Sequence, residues 1–208
     1  MENDLSLTDL QRDALQELAN IGAGHASTVL SQMVNREITM GVPGVDVLPL
    51  ERMMDFAKEE KIVVGVLLKV SGDLPMYILL LIPRQSAFSL VRLLIPESQR
   101  VNGNLLSEMD QSALQEISNV MVCAFFDSVS SLLGVPIIPG PPMLAYDVPA
   151  AVIDYVLIQI GELANKIVVF NVDLREGTRG SFNIDVFLLP LPSSVDLILT
   201  KLGVKGTP

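Results

Sequence analysis

The stretch DALQELANIG, Asp13 to Gly22, returns ninety-nine residues later as SALQEISNVM, Ser112 to Met121. Between Asp13–Ile21 and Ser112–Val120 five of nine positions are identical: Ala, Leu, Gln, Glu and Asn. The same offset carries Ile38 onto Ile137, Gly41 onto Gly140 and Pro43 onto Pro142, so the register survives beyond the helix into the segment that follows. Farther on, KIVV at Lys61–Val64 recurs at Lys166–Val169, now offset by 105, which places a gain of about six residues within Asp147–Asn165. A fixed internal period of this kind is the mark of a duplicated unit.

Each unit reads in one order. A long helix comes first, near residues 8–33 and again near 107–133, followed by an extended segment. Two apolar strands come next, joined by VSGDLP in the first unit and LREGTRG in the second, glycine-rich stretches with the chemistry of tight turns. Both units then close on an apolar strand ending in proline, MYILLLIP and NIDVFLLP, and a helical pattern, RQSAFSLVRLLI and LPSSVDLILTKLG. Strands joined by tight turns pair antiparallel. The expected fold is α+β: a duplicated, pseudo-twofold helix-plus-strands unit sharing one antiparallel sheet, with the long helices packed on it.

Composition narrows the function. Half of the 208 residues are hydrophobic, enough for a real core. The longest unbroken apolar runs, such as Met76–Ile82, fall far short of the roughly 18 residues of a membrane span, so no membrane insertion is expected. The acidic start MENDLSLTDL lacks the features of a signal peptide, and the single cysteine, Cys123, has no partner for an internal disulfide. A cytoplasmic protein is expected. The formal net charge of −10 is spread along the chain and disfavours nucleic-acid binding.

On a helix, positions i, i+4 and i+7 fall within about 80° of one another. Asp13, Glu17 and Asn20 therefore form one polar stripe, continued by Gly24, Ser27 and Ser31, while Ala14, Leu15, Leu18, Ile21 and Gly22 read as the buried side. Ser112, Glu116 and Asn119 repeat the stripe, but there Cys123 and Phe126 stand for Gly24 and Ser27, which predicts a more crowded second stripe and a first site at least as active. Glu and Asn offer neither a nucleophile nor a metal cluster. An amide can orient a water for in-line attack on a phosphoryl group held elsewhere, and a carboxylate one turn away can pair with a lysine of the protein that carries it. Such chemistry needs a second protein.

The full pattern is Asp or Ser, three residues, Glu, two residues, Asn, twenty-two residues, Pro. It occurs as Asp13, Glu17, Asn20, Pro43 and as Ser112, Glu116, Asn119, Pro142. A fixed Glu, Asn and Pro at one start position arises by chance on the order of once in ten thousand, and here it occurs twice in a duplicated frame. It resembles the signature of the CheC, CheX and FliY phosphatases of bacterial and archaeal chemotaxis, and NIGAG at Asn20–Gly24 is similar to the family's usual continuation. Two sites in a chain of this length resemble the CheC type, as a single domain over residues 1–208 built of repeats at about 5–98 and 104–204. FliY carries a further carboxy-terminal switch domain, and Pro208 falls where it would begin.

The resemblance implies a protein phosphatase that hydrolyses the acyl phosphate of a phosphorylated CheY-like response regulator. Asn20 and Asn119 would position the attacking water, and Glu17 and Glu116 would contact the receiver's lysine. Asp13, Ser112, Pro43 and Pro142 would support the sites. No cofactor of its own is implied, since magnesium is expected in the partner receiver domain. CheD is implied as a further partner, with DVPAAVIDYVLIQIGELAN at Asp147–Asn165 its candidate surface. The rivals are a weakly catalytic or non-catalytic adaptor that binds CheY or CheD, and a truncated flagellar-switch component.

Several residues carry plainer expectations. Pro43, Pro142 and the surrounding PGPP, Pro139–Pro142, are read as shaping a bulged or edge strand. His25 is expected to pack or hydrogen-bond on the flank of its helix, Cys123 to be an ordinary half-buried thiol, and the pair Met53 and Met54 to be core.

Overall fold

A computed structural model describes residues 7–58, 61–96, 106–160, 166–177 and 180–204. The first unit runs α1 (Asp9–Val34), β1 (Ile38–Gly41), β2 (Val45–Pro49), a 3-10 segment (Leu50–Lys58), β3 (Val63–Gly72), β4 (Met76–Pro83) and α2 (Arg84–Leu94). The second runs α3 (Glu108–Leu133), β5 (Ile137–Pro139), β6 (Met143–Asp147), α4 (Pro149–Ile160), β7 (Lys166–Glu176), β8 (Gly180–Pro190) and α5 (Pro192–Lys201). The ends of the expected repeats between residues 97 and 105, part of the second turn at 178–179, and the tail of the added stretch at 161–165 lie outside the described residues.

The long helices start and stop where local chemistry dictates. Thr8 and Ser107 cap α1 and α3, each in a reciprocal box with the residue three positions on, Gln11 and Asp110. Asn35 and Gly134 end them in the left-handed conformation.

All strand pairs are antiparallel, in the order β1-β7-β8-β4-β3-β5, with β2 also on β7 and β6 also on β3. That order is symmetric about the β8–β4 junction, which bears out the pseudo-twofold expectation. It adds what the local pattern does not contain: the halves exchange strands. The extended segment of the first unit lies along β7 of the second, and that of the second lies along β3 of the first.

Side chains alternate along the central strands and build a core on each face. Val64, Val66, Leu68, Ile78, Leu80, Phe170 and Val186 join Leu15, Leu18, Leu30, Leu114, Ile117 and Phe126 beneath α1 and α3. Leu67, Leu79, Leu81, Ile167, Phe187 and Leu189 face the other way, where Met53 from the 3-10 segment and Val152, Ile153 and Val156 from α4 cover them. Strands covered on both sides need apolar residues at every position, which is why MYILLLIP shows no polar alternation. Of the methionine pair only Met53 is core. Met54 turns outward on the same single turn and is 40% exposed. Among the described helices α3 alone is long and apolar enough to cross a membrane by length and composition, and here its apolar side is spent on this core.

The added residues of the second unit form α4 where the first unit has its 3-10 segment. α4 lies so close on β3 that a Cβ on Gly65 would run into the Val152 side chain. A similar close approach joins the two long helices: a Cβ on Gly22 would stand 2.5 Å from the Phe125 ring. Gly22→Ala is therefore expected to lower unfolding stability by about 1–3 kcal/mol, since overpacking must push α3 aside. A denaturant titration checks it, and an unchanged midpoint would show that Phe125 yields freely.

Candidate functional site

β1 and β2 form one edge segment with an irregularity between them. Gly41 pairs with Asp173 and Val45 with Phe170, so three residues, Val42, Pro43 and Gly44, oppose two on β7. The second unit repeats this: Pro139 pairs with Val70 and Met143 with Leu67, leaving Gly140, Pro141 and Pro142 opposite two on β3. These are β-bulges, as expected from PGPP, and a proline without an N–H is at home in them. A bulge strands backbone polar groups, which must find other partners.

The motif helix supplies them. Asn20 Nδ2 donates to the Val42 carbonyl at 3.2 Å, and the Val42 N–H donates to Asn20 Oδ1 at 2.9 Å. Gln16, one turn earlier, donates from Nε2 to the Pro43 carbonyl at 2.8 Å and to the Val42 carbonyl at 3.4 Å. In the second unit Gln115 donates to the Pro142 carbonyl at 3.5 Å. The fixed distance from Asn to Pro in the pattern is thus the distance from a helix face to the bulge it holds. Gln16 and Gln115 were passed over in the sequence reading, although Gln is one of the five repeated identities and stands four residues before the Asn.

The two asparagines are not in the same state. Pro141 occupies the place of Val42 and has no N–H, so the bond that Oδ1 of Asn20 accepts has no counterpart. Oδ1 of Asn119 instead accepts the Cys123 thiol at 3.6 Å, a weak bond, and its Nδ2 has no partner among the described residues. Burial first, and then Asp127, push the Cys123 thiol above its ordinary pKa, so it stays protonated near neutrality and able to donate. This fits the ordinary-thiol expectation.

Glu17, Glu116, Asp13 and Ser112 are exposed, Asn20 and Asn119 half-buried, Pro43 exposed and Pro142 half-buried. The stripe is nevertheless not centred on the solvent side. The exposed sector of α1 lies about 60° round from it, over Glu17, Ile21 and Thr28, because β1 and the bulge cover the other flank. This corrects two expectations. Ile21 is 38% exposed rather than buried, and Ser27 is buried, its hydroxyl donating to the Ile38 carbonyl. Phe126 is also buried, 3% exposed within the main core, and does not crowd Asn119. The part of the steric argument that rests on Phe126 falls away, while Cys123 still stands beside Asn119 where the first site has Gly24.

Asn119 lines an open cleft of about 530 Å³ with Cys123, Asp127, Ile138 and, from the other helix, His25. His25 is exposed and makes no hydrogen bond among the described residues, contrary to the packing or hydrogen-bonding expectation. No group of three or more His, Cys, Asp or Glu among the described residues is arranged to hold a metal ion. A larger cleft, about 700 Å³, lies by Phe56, Lys61, Arg84 and Asp185 and is lined by none of the motif residues.

Loss of Asn20 has a structural consequence that loss of Asn119 lacks. Val42 is buried, 3% exposed, and a stranded buried N–H costs about 1–3 kcal/mol. Asn20→Ala is expected to lower stability by that amount and Asn119→Ala by well under 1 kcal/mol. Parallel urea melts check this; equal losses would contradict the asymmetry.

The family model of the CheC-like family matches residues 10–46, the span that holds Asp13, Glu17, Asn20 and Pro43. The chain is 26% identical to the CheY-P phosphatase CheC of Bacillus subtilis (strain 168), over 94% of this chain and 95% of that protein. It is 27% identical to the flagellar motor switch phosphatase FliY of the same organism, over 65% of this chain and 35% of the relative. The crystal structure of Thermotoga maritima FliY shares the fold, with a TM-score of 0.78 at 21% identity, covering 97% of this chain and all of that one. With the motif, its bulge and the duplicated frame accounted for, the chain is similar to the CheC-like family through its first motif and to CheC over nearly its whole length.

Proposed function

We propose that this chain stimulates hydrolysis of the acyl phosphate of a phosphorylated CheY-like response regulator. The observation that carries the reading is the repeated display of an exposed Glu beside a half-buried Asn, one turn apart on α1 and on α3, each next to a bulge that anchors the helix face. An exposed carboxylate reaches a lysine of a docked protein, and a carboxamide at the rim orients a water toward its phosphoryl group. Glu17 and Glu116 dock; Asn20 and Asn119 position the water; Asp13 and Ser112 rim the site; Pro43 and Pro142 hold the bulge. Phosphate and magnesium belong to the receiver, and this chain needs no cofactor of its own. The curated relatives named as CheY-P and flagellar-switch phosphatases support the substrate class.

The adaptor reading finds its support on the far side of the sheet. α4 presents Tyr155, 46% exposed, and Ile158, 76% exposed, to solvent, and this outward face is the surface proposed for CheD. One assay separates the readings: decay of a phosphorylated receiver with magnesium, with and without this chain. Acceleration beyond the receiver's own decay supports the phosphatase. Binding with unchanged decay selects the adaptor.

A further inference from the structure

We propose that the residue just before the signature proline sets the working state of each site: Val42 tethers Asn20, whereas Pro141 leaves Asn119 free. The inference rests on the phosphatase reading and adds an inequality to it. Val42 and Pro141 act through the asparagines and are positioning residues, since neither is required to touch the receiver.

The geometry is reciprocal at the first site. Val42 both donates to Oδ1 at 2.9 Å and accepts from Nδ2 at 3.2 Å. The two bonds turn the carboxamide plane toward the bulge and fix which end is oxygen, because only Oδ1 can accept from an N–H. They also fill one of the two donors and one of the two acceptor positions. A water held for attack needs the same group turned outward. The tether must open first, so apparent affinity for the receiver falls by the fraction of time it is open. Two ordinary hydrogen bonds near the lower end of the usual net contribution make that fraction about one in ten.

At the second site Pro141 has no hydrogen to give. Gly140 ties the bulge to β3 by donating to the Lys69 carbonyl at 2.8 Å, and Gln115 still holds the Pro142 carbonyl. The bulge is therefore kept without using Asn119. Among the described residues the carboxamide is restrained only by the thiol of Cys123 at 3.6 Å, a weak donor, and it opens on the cleft shared with His25 and Asp127. The second site is ready to dock; the first is held back.

The test exchanges the two residues in chains with one working site each. In an Asn119→Ala background, Val42→Pro is expected to lower the KM for phosphorylated receiver about tenfold with kcat nearly unchanged. Proline is acceptable in this bulge because the other half already has one there. In an Asn20→Ala background, Pro141→Val is expected to raise KM by a similar factor. Pro141 is exposed, so this second exchange carries little risk to the core and decides the matter should Val42→Pro fold poorly. A purely structural role would change melting behaviour without this opposite movement of KM. Hydrolysis that depends on neither asparagine would overturn the phosphatase reading and the inference with it. Asparagine-dependent hydrolysis with a KM indifferent to Pro141→Val would overturn the inference alone.

Discussion

Replacement of both Asn20 and Asn119 by alanine is expected to return the decay of a phosphorylated receiver to its unassisted rate, a loss of about a hundredfold or more in the stimulated component. The reason is the poverty of the site. The hydroxyl of Ser112 has no counterpart at the first site, where Asp13 stands, and no base among the described residues is hydrogen-bonded to it, while Cys123, beside Asn119, is held as a neutral thiol by its burial and by Asp127. On the phosphatase reading, what remains for this chain to contribute is the placement of water, and the Asn carboxamide is a group common to both rims that can both donate to and accept from it.

The aspartate pair sharpens the experiment. Asn20→Asp with Asn119→Asp keeps size and shape but exchanges the N–H donors for a negative charge facing a phosphoryl anion, and it is expected to be as inactive as the alanine pair. Each variant is measured beside a urea melt, because Asn20 also caps the Val42 N–H and its loss weakens the fold. A double variant that remains folded and still accelerates decay like the unaltered chain would sink the water-positioning role.

How far the sequence could have led differs from feature to feature. The helices, the hairpins and the twofold frame follow from local periodicity and the ninety-nine-residue offset, and each is present in the structure. Even the bulge was legible, because PGPP cannot sit in a regular ladder. The burial of single stripe positions was not. A stripe of Asp13, Glu17, Asn20 and Ser27 gives the direction of polar residues, but what lies across from each depends on β1, which crosses one flank of α1 after a turn whose direction no local pattern states. Ser27 and Asn20 then serve backbone groups of the strand, and Ile21 is left in solvent. Phe126 misled for a similar reason: its register with Ser27 places it on the flank that the main core occupies. The difference between Val42 and Pro141 stood in plain view, yet it acquires meaning only once Asn20 is seen to need the N–H.

Expressed separately, residues 1–98 and 104–204 are each expected to lack a folded monomeric state, and to recover the sheet when refolded together in equal amounts. We propose on this basis that the two repeats make one folding unit. The order β1-β7-β8-β4-β3-β5 leaves each half with a single intact hairpin, β3–β4 or β7–β8. An isolated two-stranded hairpin is marginal in water, and here both of its edges would be bare. On β3, Val63–Leu67 pair with β6 and Val70–Gly72 with β5 of the other half, leaving Leu68 and Lys69 opposite the bulge, and β4 pairs with β8 from Met76 to Leu81. The exchanged segment of the first half, Ile38–Pro49, would have no β7 to pair with. Its bulge would then dangle, and Gln16 and Asn20 would bind backbone groups that nothing holds in place. The long helix fares no better, because Gly22 is shaped to meet Phe125 of the missing half and Leu15 and Leu18 need the common core. Circular dichroism and sedimentation of each half, alone and mixed, read the result. A cooperative melt from a monomeric half would show that the exchanged strands are dispensable. Recovery only on mixing would show that neither motif helix with its bulge can be built without strands from both repeats.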